Sequence, residues 1–323
     1  MREDLLKQIE QEYEDLRRNH EREELARKAD IQQNEPVIAE LMNAREKLIH
    51  GTLKNLLRGR GQAEDLPARM AEISSQIREA LEKAGYPADY LAPIYRCGKC
   101  RDTGYVGEVV KTPCECLKTR YQEKLREEMG LAGRNEETFE RFDLSVFPDT
   151  PLPGSGVSQR AMMETVRTLC ENWANQYPDN RRRDVMLMGK SGLGKTFLLH
   201  CMANRLLERG IELRIVSAYG FLQTARKSYF ENDQGLEELL GVPVLLLDDL
   251  GSEPLMQNVT IEQLFNLINE RQARRLSTIV STNLNTPEFK TRYTERIASR
   301  MTDARNCLVI ILEGQDIRRS GRG

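Results

Sequence analysis

The stretch GKSGLGKT, at residues 189–196, decides the fold of this sequence. It matches the pattern G-x-x-x-x-G-K-[ST], whose glycines let successive backbone N–H groups face the phosphates of a nucleotide. An apolar run at 184–188 precedes the stretch and predicts a strand, and Phe197, Leu198 and Leu199 follow it as the start of a helix. The N-terminus of that helix adds a favourable partial charge for an anion. This strand–loop–helix context predicts a site for a nucleoside triphosphate.

Two side chains of this loop have expected chemical roles. Lys195 should reach the β- and γ-phosphates, and the hydroxyl of Thr196 should bind Mg²⁺. A chance glycine-rich loop would not normally carry a Lys-Thr pair at a strand-to-helix turn. We therefore assign ATP binding to the whole loop: Gly189, Lys190, Ser191, Gly192, Leu193, Gly194, Lys195 and Thr196.

Polar residues at the ends of two further apolar runs complete the predicted nucleotide site. Asp248 and Asp249 follow the apolar run 244–247, and Asn283 belongs to the polar pair that ends the strand predicted to begin at 278. Carboxylates at the carboxyl end of a parallel strand face the phosphate crevice. We expect Asp248 to bind Mg²⁺ and Asp249 to orient or deprotonate the attacking water, with a solvated turn as the alternative for Asp249. Asn283 is the candidate contact to the γ-phosphate or to this water; the alternative is an asparagine that caps a loop.

Short apolar runs alternate with helical patterns beyond residue 157, as a parallel sheet flanked by helices requires. Runs such as 244–247 do not alternate apolar and polar residues, which is typical of strands that are buried on both faces. The sequence therefore predicts an α/β domain over 157–323 that contains a five-stranded parallel sheet. The predicted strands are 184–188, 212–217, 242–247, 278–281 and 307–312.

The part of the chain before residue 157 divides by composition. Residues 1–90 are rich in charge and carry Leu and Ile at helical spacing, which predicts two or three helices with an apolar face. This face either packs on neighbouring helices or docks a partner. Four cysteines mark a small separate module at 91–125. The interval 126–156 ends in Pro and Gly and is predicted to be a linker.

Composition and charge limit the possible functions. Of the 323 residues, 39% are hydrophobic and 30% are charged, which is typical of a soluble globular protein. No run approaches about 18 consecutive apolar residues, and the N-terminus lacks the pattern of a signal peptide. We therefore expect a cytoplasmic protein without membrane contact. The net charge of -2 predicts that any nucleic acid meets a local basic patch.

Four of the seven cysteines cluster in the sequence, namely Cys97, Cys100, Cys114 and Cys116. Four thiolates suffice for a closed tetrahedral Zn²⁺ site, and such a site would be structural because no position stays open for water. The second pair has one intervening residue, where about two to four are usual. An iron–sulfur cluster and unligated or redox-active thiols are therefore left open as alternatives.

Taken together, these motifs resemble the AAA+ ATPases of the helicase-loader group, the DnaC/DnaI-type loaders of bacteria and phages, with the IstB-type transposition helpers as relatives. The segments that carry the resemblance are 189–196, 244–251, 281–284 and 295–301. The resemblance implies an AAA+ fold without a helical lid. It implies that Arg300, with Arg296 beside it, contacts the ATP of a neighbouring subunit. An ordinary surface arginine is the alternative for both.

The same resemblance implies further contacts and partners. Arg318 would contact the γ-phosphate bound to its own subunit. Loaders of this group dock the replicative hexameric helicase through N-terminal helices, place a zinc module before the ATPase, and self-associate around single-stranded DNA when ATP is bound. In this sequence 218–230 combines aromatic residues with Arg226 and Lys227, as single-stranded DNA binding does. The alternative for that segment is an ordinary buried helix face.

The sequence thus predicts an ATP-dependent loader of the replicative helicase onto single-stranded DNA, with ATP, Mg²⁺ and Zn²⁺ as cofactors. An IstB-type ATPase helper of a DNA transposase is the alternative, because it shares the ATPase residues; such helpers generally lack the cysteine module. A DNA-binding adaptor in which hydrolysis is incidental disagrees with the complete set of site residues. Unwinding by the protein itself would need a second RecA-like core, of which the sequence gives no sign.

Overall fold

The computed structural model describes residues 3–57, 66–154, 156–231, 235–255 and 260–318. Its chain forms two compact units, Met1–Lys124 and Leu125–Gly323. None of the helices in the described ranges is both long enough and apolar enough to cross a membrane. The elements of the first unit are α1 (Glu3–Asn34), α2 (Pro36–Leu57), α3 (Leu66–Lys83), β1 (Tyr105–Val106), β2 (Thr112–Pro113) and the start of α4 (Glu115–Glu128).

Apolar side chains at helical spacing hold the first three helices together. Ile31 of α1, Ile38 and Met42 of α2, and Ile77 and Leu81 of α3 are buried in one cluster. The spacing of four residues within α2 and within α3 puts each pair on one helix face. The predicted apolar face therefore packs, at least in part, on neighbouring helices of its own unit.

The second unit contains a parallel sheet with helices on both faces. Its strands are β3 (Asp184–Met188), β4 (Leu213–Ser217), β5 (Val244–Leu250), β6 (Ser277–Thr282) and β7 (Cys307–Ile311). They lie in the order β4-β5-β6-β3-β7, and every neighbouring pair is parallel. The predicted five-stranded parallel sheet is confirmed. The helices are α5 (Gln159–Gln176), α6 (Lys195–Glu208), α7 (Ala218–Glu231), α8 (Gly235–Gly241), α9 (Thr260–Ala273) and α10 (Thr286–Met301).

The burial of β5 explains why its sequence does not alternate. Val244 and Leu246 lie in a core cluster with α5 and α6, whereas Leu245 and Leu247 lie in a second cluster with α7, α9 and α10. Successive side chains of a strand point to opposite faces, so a strand covered on both faces needs apolar residues at every position. The first polar residue after this run, Asp248, lies near the carboxyl end of the strand.

The interval 126–156, predicted to be a linker, contributes buried side chains to the second unit. Leu131, Phe139, Phe142 and Phe147 lie in the core cluster of α5 and α6. Aromatic side chains bury large apolar areas, so these residues attach the interval to the core of the second unit. The structure therefore differs from the linker assignment. The other domain boundaries proposed from the sequence stay predictions.

Candidate active site

Loops at the carboxyl ends of β3, β5 and β6 line a cavity of about 350 Å³. Ligands of parallel α/β sheets bind at this edge. The structure brings together here most of the predicted loop, both aspartates, Asn283 and Arg318. The lining residues are Ser191, Gly192, Leu193, Gly194, Lys195, Thr196, Phe197, Asp248, Asp249, Ser281, Asn283, Ile317 and Arg318.

Close approaches of neighbouring segments explain two glycines of the loop. Gly192 has a φ of 78°, and a side chain there would collide with the carboxylate of Asp316. Gly189 has a φ of 149°, and a side chain there would collide with the carbonyl oxygen of Leu312. Only glycine adopts such φ values at little cost. The loop is thus shaped by the chain that follows β7 as well as by the phosphates it is expected to bind.

Lys195 is buried at the start of α6 and makes three hydrogen bonds. Its Nζ donates to the carbonyl oxygen of Gly189 at 2.6 Å, to that of Lys190 at 2.7 Å and to Oδ1 of Asn283 at 2.7 Å. An ammonium group has three donors, so all of them are used within the protein. Gly189 and Lys190 therefore serve this site through their backbone, at the base of the loop.

The charge of Lys195 depends on its burial. Burial lowers the pKa of Lys195 from 10.5 to about 8, while the carboxylates of Asp249 and Asp248 act in the opposite direction and Arg318 lowers it slightly more. A buried cation loses hydration that the protein replaces only in part. At pH 7 the ammonium form still predominates and can donate hydrogen bonds to phosphate oxygens.

Thr196 and Asp248 form an oxygen-rich pair at the edge of the cavity. The hydroxyl of Thr196 lies 3.1 Å from both carboxylate oxygens of Asp248. Ser281 also donates a hydrogen bond to Asp248. Hydroxyl and carboxylate oxygens are ligands that suit Mg²⁺, so these residues fit the predicted metal site. Ser281 is not among the site residues predicted from the sequence, although a polar residue near the carboxyl end of a buried strand is a usable signal.

Asp249 is directed into the cavity by an irregularity of β5. The register against β6 shifts between Leu247 and Leu250, and Asp249 has a φ of 57°. Bulges of this kind re-aim side chains, and aspartate tolerates left-handed backbone better than most residues. Its backbone N–H donates to Oγ of Ser281 at 2.9 Å, and Nδ2 of Asn283 donates to its Oδ1 at 2.5 Å. This geometry suits a carboxylate that orients a water molecule.

Arg318 lies against the nucleotide loop. Its Nη2 donates to Oγ of Ser191 at 2.5 Å, and the backbone N–H of Ile317 donates to the carbonyl oxygen of Gly192 at 3.0 Å. The carboxylate of Asp316 accepts from the backbone N–H of Arg318 at 3.0 Å and from its Nε at 3.3 Å. The guanidinium thus lies in the lining of the cavity, and its contact to a γ-phosphate stays a prediction.

Arg296 and Arg300 lie apart from this cavity. Their guanidinium carbons are 4.4 Å and 5.0 Å from the ring centroid of Phe265 in α9. Residues four apart share a helix face, so both arginines stack on the same ring. Neither is among the described residues that line the cavity. Their predicted role at a neighbouring subunit's ATP stays a proposal.

Helix α7 contains the segment predicted to meet single-stranded DNA. Phe221 and Ala225 are buried in the core, as the alternative of an ordinary helix face requires, whereas Arg226 and Lys227 are exposed. The aromatic side chains at 229–230 lie outside the described residues. Of the residues in the DNA prediction, Arg226 and Lys227 are therefore accessible for contact with DNA.

The four cysteine sulfurs of the first unit converge. Their Sγ atoms all lie within 4.8 Å of one another, with Cys97 and Cys114 at 3.9 Å and Cys100 and Cys116 at 3.4 Å. A tetrahedral Zn²⁺ site has sulfurs about 3.8 Å apart, because each Zn–S bond is about 2.3 Å. An iron–sulfur cluster would push sulfurs on different irons further apart. The donor set therefore fits a single Zn²⁺ held by the four thiolates.

Asp102 supports the loop that carries the first two cysteines. Its side chain is buried and accepts hydrogen bonds from the backbone N–H of Arg96 at 2.9 Å and of Cys97 at 2.7 Å. The hydroxyl of Thr103 donates to the carbonyl oxygen of Cys100 at 2.7 Å. Such contacts orient the residues that carry metal ligands. Asp102 is not among the residues predicted from the sequence, because its hydrogen bonds depend on the turn around it.

Comparisons with known proteins relate this chain to ATP-binding proteins of DNA metabolism. A family model described as "IstB-like ATP binding protein" matches residues 118–321, more than half of the chain. The replicative helicase loader DnaI of Bacillus subtilis is 30% identical over 161 residues, which cover 49% of this chain and 47% of DnaI. The replicative helicase loader DnaC of Escherichia coli K12 is 28% identical over 158 residues, which cover 44% of this chain and 63% of DnaC. The chain thus spans about half to two thirds of the length of these curated relatives.

Two solved structures are also similar to part of this chain. The crystal structure of the DnaC helicase loader superposes with a TM-score of 0.44 and 21% identity, covering 55% of this chain and 99% of that chain. The crystal structure of DnaI gives a TM-score of 0.41 and 25% identity, covering 56% of this chain and 92% of that chain. The family resemblance that the motifs carry is confirmed by the match over residues 118–321: the chain belongs to the family of IstB-like ATP-binding proteins.

Proposed function

We propose that this protein is an ATP-dependent loader of a hexameric replicative helicase onto single-stranded DNA. The observation that carries the proposal is the convergence of Lys195, the Thr196–Asp248 pair, the Asp249–Asn283 pair and Arg318 on one cavity. Two of the relatives are named replicative helicase loaders. Because the alignments cover only part of those relatives, the partner and the reaction both belong to the proposal.

The proposed reaction is hydrolysis of ATP to ADP and phosphate. Lys195 donates hydrogen bonds to the β- and γ-phosphates, in place of the loop carbonyls that it contacts without nucleotide. Thr196 and Asp248 hold Mg²⁺, which neutralises phosphate charge when bound. Asp249 orients the attacking water and accepts its proton, and the amide of Asn283 keeps that carboxylate in place.

A guanidinium can stabilise the negative charge that develops on the transferred phosphoryl group. Arg318 supplies one from the same chain. We assign the second to Arg300 of a neighbouring subunit, since Arg300 lies on α10 away from its own cavity. This assignment implies self-association when ATP is bound, because the complete site then needs two chains.

The first unit and α7 are the proposed contacts to helicase and DNA. Leu25, Val37 and Leu53 expose more than half of their side chains, at 65%, 66% and 55%, so α1 and α2 keep apolar surface that their own cluster does not cover. Such residues suit the docking of a partner protein. Arg226 and Lys227 suit the backbone of single-stranded DNA. The cysteine module serves as a zinc-stabilised scaffold, and in the sequence it lies between the three helices and the ATP-binding unit.

Light scattering of the purified protein with the replicative helicase of the same cell, with and without ATP, tests the loader function. We expect a stable complex that Leu25→Glu together with Val37→Glu weakens by disrupting the docking surface. Lys195→Ala should remove the effect of ATP on assembly, whereas Lys290→Ala, at an exposed lysine, should leave it unchanged. Absence of a complex in every nucleotide state would contradict the loader function and would make a transposase the next partner to test.

A further inference from the structure

The chain after β7 runs back along the nucleotide loop as an arm, defined here as residues 312–318. At its start the backbone N–H of Leu312 donates to the carbonyl oxygen of Met188 at 2.7 Å. At its end Ile317 and Arg318 bind the loop through the contacts described above. The arm therefore begins at the sheet and ends in the ATP cavity.

Gln159 binds the middle of this arm. It is the first residue of α5 and is 1% exposed. Its Oε1 accepts from the backbone N–H of Gln315 at 2.9 Å, and its Nε2 donates to the carbonyl oxygen of Gln315 at 3.0 Å. One side-chain amide thus satisfies both backbone groups of one residue, as a neighbouring β-strand would. We call this pair of bonds the Gln159 clasp.

The packing around the Gln159 clasp is tight. Gly314 has a φ of 135°, and a Cβ at that position would lie 2.2 to 2.6 Å from the side-chain amide of Gln159. A residue with a side chain would therefore displace the amide, besides straining the backbone. Buried amides need their hydrogen bonds, and here the arm supplies one partner for each end of the group. The clasp has one geometry rather than a choice of several.

The other side of the Gln159 clasp is also fixed. Ser158 caps α5, because its Oγ accepts from the backbone N–H of Ala161 at 3.2 Å and donates to Oδ1 of Asp149 at 2.9 Å. Arg160 adds bonds from its Nε to the carbonyl oxygen of Phe147 at 3.2 Å and from its Nη1 to Asp149 at 3.2 Å. Both neighbours of Gln159 at the start of α5 are therefore held by hydrogen bonds.

We propose that Gln159 is a positioning residue of the ATP site, which holds the arm so that Arg318 reaches the γ-phosphate. The clasp ties the arm to α5, whereas the bonds of Ile317 and Arg318 tie it to the loop that must take up the phosphates. When ATP enters, Arg318 exchanges Ser191 for a phosphate oxygen, and the clasp keeps the arm in register. This inference rests on the role of Arg318 in the proposed ATPase function.

Two substitutions in the full chain test the clasp. Gln159→Glu keeps the shape but cannot donate to the carbonyl oxygen of Gln315, and Gln159→Met removes both hydrogen bonds without burying a charge. The matched control is Gln176→Met, at the exposed end of the same helix. Calorimetric titration with a non-hydrolysable ATP analogue and with ADP gives the two affinities. Thermal unfolding confirms that each variant is folded, and if one is not, the other decides.

We expect Gln159→Met to weaken binding of the ATP analogue about tenfold and to leave ADP binding within about twofold, because the lost contact involves the γ-phosphate. A purely structural role would weaken both nucleotides alike. Arg318→Ala should give the same pattern, and Gln159→Met added to Arg318→Ala should cause no further loss, since residues that act through one contact are not additive. Amide hydrogen exchange over 312–318 should be faster in Gln159→Met than in Gln176→Met.

Besides equal weakening of both nucleotides, three further results would overturn the inference, and each has a different meaning. Additive losses in the double variant would mean that Gln159 acts other than through Arg318. Unchanged binding of the analogue in a folded Gln159→Met, with a loss in Arg318→Ala, would mean that the clasp is not needed. Unchanged binding and hydrolysis in Arg318→Ala would remove the role of Arg318 from the proposed function itself.

Discussion

Lys195 gives the nucleotide site a measurable dependence on pH. Burial lowers its pKa to about 8 in the protein without nucleotide. Phosphate oxygens beside the ammonium favour its charged form, so ATP should raise this pKa again. Binding above pH 8 then takes up a proton, and affinity should fall about tenfold for each pH unit above 8. More of a proton per site should therefore be taken up at pH 9 than at pH 7.

Isothermal titration calorimetry at pH 9 in two buffers of different ionisation enthalpy measures this uptake directly. The difference between the observed enthalpies gives the number of protons exchanged. Lys195→Arg keeps its charge at this pH and should show no uptake, although it binds ATP more weakly. Lys290→Met, at an exposed lysine of the same unit, should behave as the unchanged protein does. Intact binding without proton uptake at pH 9, or equal uptake in Lys195→Arg, would refute the reasoning.

The same lowered pKa makes a prediction about stability without nucleotide. Between about pH 8 and 10.5 the unfolded chain keeps the proton that folded Lys195 has lost, so the unfolded state binds more protons. The contribution of this side chain to the free energy of unfolding therefore rises with pH in that window. Urea denaturation at pH 7.5 and at pH 9.5 measures this change. Between these pH values the free energy of unfolding should rise more, or fall less, in the unchanged protein than in Lys195→Met.

Three further predictions concern the metal, the arginine on α10 and the core. Cys100→Ser should reduce the zinc content measured by atomic absorption from about one ion per chain to nearly none. The control Cys170→Ala should retain its zinc. Absence of zinc from the unchanged protein would contradict the tetrahedral site. Arg300→Ala should lower the rate of phosphate release about 10³-fold and leave ATP affinity within about twofold, with the exposed Arg305→Ala as control; an unchanged rate would exclude the role at a neighbouring subunit. Phe139→Ala should lower the free energy of unfolding by about 3–5 kcal/mol in urea, against less than about 1 kcal/mol for the partly exposed Val146→Ala; equal effects would mean that 126–156 is only a linker.

The parts of the fold that sequence predicts well are those that depend on local pattern. Loop 189–196 is recognisable because its glycines, lysine and threonine follow a strand and open a helix. The strand β5 is recognisable because an unbroken apolar run fits a strand covered on both faces. The Pro and Gly residues of 126–156 favoured the prediction of a linker, which the structure does not support. Burial of Phe139 and Leu131 against α5 and α6 is a tertiary property that the local sequence does not show.

The parts of the site that sequence could not predict depend on contacts between distant segments. Ser281 reaches Asp248 only because β5 and β6 are neighbours in the sheet. The orientation of Asp249 depends on a register shift between β5 and β6. The residues of β5 alone do not predict this shift. Gln159 and Gln315 are separated by 156 residues, and an ordinary glutamine at a helix start carries no sign of such a partner.

Asn283 is hydrogen-bonded to both of the groups to which the proposed reaction assigns separate tasks. Its Oδ1 accepts from Lys195 at 2.7 Å, and its Nδ2 donates to Asp249 at 2.5 Å, so one amide group bridges the phosphate-binding ammonium and the proposed base. In the proposed reaction Lys195 exchanges the two loop carbonyls for phosphate oxygens and keeps its third hydrogen bond to Oδ1 of Asn283, whose Nδ2 still holds Asp249. The proposal therefore links the ammonium and the water-orienting carboxylate through one side chain. An amide suits position 283 because it accepts from a cation and donates to a carboxylate at the same time, which a second charged group could not do.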